Sequence, residues 1–136
     1  MLNKPRQRVV AAALFDAERR VLIAERPAGK HMAGWWEFPG GKVAEGESDA
    51  EALVRELREE LGVETRPDHV VMQLSHEYSD RTIDLVLWRA TLTSGSPQGL
   101  DGQQLKWVDC QTLGSERMLP ADTPFITALQ RLSSTN

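Results

Sequence analysis

A single cysteine, Cys110, stands in 136 residues, so no internal disulfide can form and the chain suits a reducing compartment. Nothing around it supplies a base for a thiol nucleophile, and it reads as a small core residue. No apolar run approaches the ~20 residues needed to cross a bilayer. The first residues also lack the apolar stretch of a signal peptide. A cytoplasmic protein with no membrane partner is expected. Basic residues are the minority: 16 Lys and Arg against 20 Asp and Glu give a net charge of −4. With no Lys/Arg run or basic patch, a nucleic-acid polymer is not an expected partner. A nucleotide stays open, because cations can meet its phosphates. Repeats and low-complexity tracts are absent too, and residues 1–136 read as one domain with a real core.

What is present is mixed α/β. Val9–Phe15 and Val21–Ala24 are β-rich apolar runs, with Asp16–Arg20 between them as a hairpin turn. Residues 26–34 form a small, polar loop leading to a short strand near Trp36–Phe38. Val70–Tyr78 and Thr82–Leu92 are further strands, and Ile83, Leu85 and Leu87 alternate with Asp84, Val86 and Trp88. A Gly/Ser/Pro-rich loop follows over 94–102, then a strand at Leu105–Asp109. Asp122 can cap a last helix to about Leu132, with Phe125, Leu129 and Leu132 inward and Pro124 in the tolerated first turn. Residues 1–5 and 133–136 read as frayed ends.

The most informative stretch runs from Gly41 to Val63. Ser48 with Glu51 three residues later is a capping-box signature, so a helix should start at about Asp49. Gly62 suits a left-handed C-cap. Ala50, Leu53, Val54, Leu57 and Leu61 recur at helical spacing as a core stripe. On another face Glu56, Glu59 and Glu60 fall within a ~100° arc. Carboxylates crowded this way repel unless neutralised, and a hard divalent cation with oxygen ligands does so. A solvated acidic face, with Arg55 and Arg58 as ion-pair partners, is the alternative. The segment ahead, Phe38-Pro39-Gly40-Gly41-Lys42, favours the metal reading. Its glycines permit close backbone approach, a carbonyl there can face a metal, and Lys42 can offset phosphate charge.

Written as a pattern, 41–63 is G-x5-E-x7-R-E-U-x-E-E-x-G-U with U a bulky aliphatic, complete at every position. It resembles the Nudix hydrolases, which cleave a nucleoside diphosphate linked to another group. His31-Met32-Ala33-Gly34, Glu37–Lys42 and Pro120-Ala121-Asp122-Thr123-Pro124 are similar to the MutT branch, over residues 7–132. The resemblance implies an α/β/α sandwich with a mixed β-sheet between helices. It also implies a Mg²⁺-dependent activity, with Mn²⁺ as a substitute. Glu56, Glu59 and Glu60, the Gly40 carbonyl and Asp101 would ligate metal, and Glu56 would double as the base for water. Gly41, Glu47, Arg55 and Gly62 would fix the geometry of the box. Arg26, His31 and Arg81 would contact the nucleotide, with Lys42 helping at the phosphates, although each could be a surface charge. Phe38 would give apolar surface to the base pocket or sit in the core. Asp122 would read the base or serve only as a helix cap.

The implied reaction converts 8-oxo-dGTP to 8-oxo-dGMP and pyrophosphate, which removes oxidised guanine from the nucleotide pool. Alternatives are a pyrophosphatase for cytidine or other pyrimidine triphosphates, and a non-catalytic module that binds a nucleotide. The partner is a small nucleotide, and the chain a monomer or homodimer.

Overall fold

In the computed structural model, which describes residues 4–134, the first strand decides the architecture. β1 (Arg6–Leu14) is buried without a break from Val10 to Leu14. Such continuous burial marks a strand covered on both faces. It lies centrally in a four-stranded mixed sheet, parallel to β6 (Thr82–Ser94) and antiparallel to β4 (Gly40–Lys42). β5 (Glu64–Glu77) forms the outer edge beyond β6. A second sheet holds β3 (Trp36–Glu37), β2 (Arg20–Glu25) and β7 (Leu105–Asp109), all antiparallel. Two helices cover the strands, α1 (Asp49–Leu61) and α2 (Thr123–Ser134). One core joins α1 to Val10, Ala12, Leu14 and Val86; the other joins α2 to Ala11, Ala13, Leu87 and Val108. This is the expected α/β/α arrangement, but its strands divide between two sheets.

The hairpin turn expected at Asp16–Arg20 is present, but that division places the strands it joins in different sheets. The turn does close, with Asp16 N–H on the Arg20 carbonyl at 3.0 Å and Arg19 at φ 64°. Only one bridge, Phe15 to Val21, joins β1 to β2. β1 is already flanked by β4 and β6, so β2 must take its partners from the other sheet. β5 also begins at Glu64, six residues before the expected Val70. Its polar start with Pro67 reads as loop, yet an edge strand tolerates proline at a register shift, here between Pro67 and His69.

α1 has the predicted ends. Ser48 and Glu51 make the reciprocal capping box, and Gly62 closes the helix at φ 70°. The stripe is rotated from the expected one: Ala52 is buried with Leu53, Leu57 and Leu61, while Ala50 and Val54 are half-buried. At the far end Leu132 is 49% exposed, not in the core. The expected fraying over 1–5 and 133–136 concerns termini of which 1–3 and 135–136 lie outside the described residues.

Candidate active site

The capped helix presents its acidic arc toward the Gly40–Lys42 strand, and one arginine organises the junction. Arg55 donates to Glu47 through Nε at 2.6 Å and Nη2 at 2.9 Å, and Nη2 also reaches the Lys42 carbonyl at 3.0 Å. Its Nη1 meets Glu56 at 3.0 Å and Glu59 at 3.3 Å. Glu47 accepts the Ala44 N–H besides, and these bonds, Arg55 first, hold its carboxyl down at about 2. The loop before the helix is thereby fixed to the helix's own second turn.

The two glycines are required here by space. A Cβ on Gly41 would lie 2.4 Å from the Glu56 carboxyl, and one on Gly40 would lie 2.0 Å from the Val10 carbonyl oxygen. Gly40 can therefore pair with Ala11 while its N–H supports Glu60. Burial, then the charges of Glu56, Glu37 and Asp101, push Glu60 up to about 8. Burial also raises Glu56, against the opposing pull of Arg55. Glu59 lies further out and is exposed.

Among the described residues no three His, Cys, Asp or Glu side chains converge tightly enough, as they stand, to hold an ion. The donor set nevertheless suits a hard divalent cation: all are oxygens, and Glu60 feels repulsion from three other carboxylates that the Gly40 N–H only partly offsets. A cation there would relieve it.

A second cluster adjoins this one. Arg26 folds the 26–35 loop around itself, its N–H on the Trp35 carbonyl and its carbonyl accepting the Gly34 N–H. Its Nε holds the His31 carbonyl at 2.6 Å and its Nη1 pairs with Glu37 at 3.1 Å. His31 itself is exposed. Beyond Glu37 sits Asp122, 7% exposed, at the end of a 3₁₀ turn (Pro120–Asp122). The turn is tied to β3 by Trp36 N–H to the Arg117 carbonyl and Leu119 N–H to the Trp36 carbonyl. Burial, then the Glu37 charge, push Asp122 up to about 7, opposed by the Phe38 N–H aimed at its carboxyl. Asp122 faces inward, toward that N–H.

Glu37, which sequence reasoning left without a role, is thus a charge felt at both Glu60 and Asp122. Its signal was an acid between bulky apolar residues ahead of Gly-Gly. Of the two readings of Phe38 the structure has the core one: its ring is 3% exposed and packs on Phe125 at 6.5 Å, while its backbone N–H faces Asp122. Lys42 is exposed beside the box. Arg81 stacks on Tyr78 at 5.4 Å in the β5–β6 turn. Thr82 pairs with Arg6, whereas Leu87 and Gly40 both pair with Ala11, so Arg81 lies roughly 17 Å along the sheet from the glycines. Asp101 is exposed on the loop between β6 and β7.

The NUDIX domain family profile matches residues 10–128. The chain belongs to the Nudix family. Its relatives include the Escherichia coli CTP pyrophosphohydrolase, 40% identical over 123 residues, which cover 90% of this chain and 91% of that protein. The E. coli 8-oxo-dGTP diphosphatase is 35% identical over 124 residues, covering 91% and 96%. Among solved structures, the E. coli ORF135 protein superposes with a TM-score of 0.85 at 37% identity, covering 98% of this chain and 94% of its own. The protein is a Nudix hydrolase, and Nudix hydrolases in general need a divalent metal. No helix among the described residues is long and apolar enough to cross a membrane.

Proposed function

We propose that this Nudix hydrolase is a Mg²⁺-dependent nucleoside triphosphate pyrophosphohydrolase, with Mn²⁺ as a substitute, that converts 8-oxo-dGTP to 8-oxo-dGMP and pyrophosphate. The observation that carries the base assignment is Asp122, a buried carboxyl pushed up to about 7. Once protonated, it donates O–H to O6 of 8-oxoguanine and accepts N7–H on its other oxygen. Ordinary guanine has a bare lone pair at N7. The acceptor is then unpaired, at a cost of ~1–3 kcal/mol, or about five- to 150-fold. The similarity to the E. coli 8-oxo-dGTP diphosphatase supports this reading.

In the proposed reaction, Glu56, Glu59, Glu60, Asp101 and the Gly40 carbonyl would hold the metal. When bound, Mg²⁺ withdraws charge from the triphosphate and makes water a stronger acid. Glu56 takes the proton of the water that attacks the β-phosphorus. The α–β bridging oxygen leaves with the nucleoside monophosphate. Lys42 would offset phosphate charge from the loop, and Arg26 and His31 would contact the nucleotide, while Arg81 stands too far along the sheet to join them.

A second reading has its own support. Cytosine presents N3, an acceptor, beside the N4 donor. That is the same pair a protonated Asp122 matches, and the CTP pyrophosphohydrolase is 40% identical to this chain. Rates of pyrophosphate release from 8-oxo-dGTP, dGTP, CTP and dCTP decide between them. A kcat/KM preference for 8-oxo-dGTP over dGTP of about a hundredfold supports the first reading; a flat profile or a cytidine preference removes it.

Asp122 also predicts a pH dependence. Its folded pKa, about 7, is above the ordinary value of 3.8, so its contribution to stability is full below pH 3.8 and lost as pH rises through 7. Ionised at pH 8 it costs on the order of 4 kcal/mol. Asp122→Asn, which cannot ionise, should flatten the fall in urea midpoint between pH 5.5 and 8. It should also hold the substrate ratio constant over that range while the wild-type ratio drifts. An unchanged ratio at every pH would reduce Asp122 to a structural residue.

A further inference from the structure

We infer that Gln103 is a positioning residue that holds Asp101 at the metal-bearing end of α1. The inference rests on the proposal that Asp101 reaches the metal.

Helix α1 ends with carbonyls that need donors, and the 96–103 segment supplies them. Gln98 N–H binds the Leu61 carbonyl at 3.0 Å, and Leu100 N–H binds the Glu60 carbonyl at 3.1 Å. Gln103 adds a side-chain latch. Its Nε2 donates to the Glu60 carbonyl at 3.3 Å, and its Oε1 accepts the Asp101 N–H at 2.8 Å. One amide therefore ties the backbone of Asp101 to the backbone of Glu60. Space around it is closed, since a Cβ on Gly99 would stand 1.9 Å from the Gln103 carbonyl oxygen and 3.2 Å from its Oε1. Gly102, at φ 81°, returns its N–H to the Gly99 carbonyl at 3.0 Å and completes the turn.

The latch has a use that its bonds alone do not state. Asp101 is exposed, yet Glu60 feels its charge. An aspartate has a short side chain, so on a mobile loop it would spend little time within reach of an ion at Glu60. Fixing its backbone to the Glu60 carbonyl sets the distance that the short side chain must span. The Glu60 and Leu61 carbonyls already have the Leu100 and Gln98 N–H groups; the Gln103 amide is the part that reaches Asp101.

Mn²⁺ binding to the full chain, counted by electron paramagnetic resonance without nucleotide, tests this. Gln103→Leu and Gln103→Met keep bulk and remove both hydrogen bonds, and their melting temperatures guard against a folding defect. Each should weaken Mn²⁺ about tenfold, matching Asp101→Asn. Adding either to Asp101→Asn should cost nothing more, because the latch acts through Asp101. Full-strength binding by both Gln103 variants beside a weakened Asp101→Asn overturns the latch and leaves the Asp101 proposal standing. Wild-type binding by Asp101→Asn overturns that proposal first. Additive losses in the double variant make Gln103 an independent contributor and overturn the inference.

Discussion

Glu56→Gln should lower kcat about a thousandfold, within the range lost when a general base is removed, and leave nucleotide affinity within a few-fold. The amide keeps the shape of the carboxyl, so the fold has little to object to. Gln cannot take a proton from water and is a poorer metal ligand. It would still accept a hydrogen bond from Arg55, which Glu56 now meets at 3.0 Å. Single-turnover hydrolysis and equilibrium binding, measured on the same preparation, separate the two effects. Activity within tenfold of wild type would remove Glu56 from the chemistry.

The adjacent glycines should fail differently when each becomes alanine. At Gly40 the new methyl meets backbone, 2.0 Å from the Val10 oxygen and 2.7 Å from the Ala11 Cα, in the pairing of β4 with β1. Backbone cannot step aside without breaking that pairing. Gly40→Ala should therefore cost several kcal/mol of stability, more than ordinary point substitutions, and lose activity with folding. At Gly41 the atoms nearest the methyl are those of the Glu56 carboxyl, the far end of a side chain that can swing away. Gly41→Ala should keep a near-normal urea midpoint and lose turnover, because the displaced carboxyl is the proposed base. Equal stability in both variants would show that the strand yields more than its contacts allow.

The two alanines also mark what was legible beforehand. Spacing of Ser48, Glu51 and Gly62 gave both ends of α1, because caps are local chemistry. The three glutamates followed from the period of the helix, as did the burial of Leu53, Leu57 and Leu61. Sheet membership was not local. Asp16–Arg20 reads as a hairpin whether or not β1 has a free edge, and only the pairing with residues far along the chain removed that edge. Pro67 hid the start of β5 because proline argues against a central strand and nothing nearby announces an edge. Phe38 and Asp122 each carried two readings for the same reason: burial is set by what packs above, here Phe125 and the 3₁₀ turn. Glu37 stands in the Glu37–Lys42 stretch and Gln103 in no motif, yet nothing local marks the role of either. Each acts by lying between two others, and a single sequence records no such position.

The parallel pairing of Arg6–Leu14 with Thr82–Ala90 has a kinetic side. The strand at the centre of the larger sheet is completed late, since its parallel neighbour lies more than seventy residues downstream. A nascent chain on the ribosome can offer this apolar ribbon only the short β4 edge, at Val9–Ala11, until residues 82–90 have emerged. Closing so large a loop costs entropy before any ladder bond rewards it, which slows folding. Meanwhile the ribbon is free to find another chain's edge. The molecule's most protected strand is, during synthesis, its most vulnerable one.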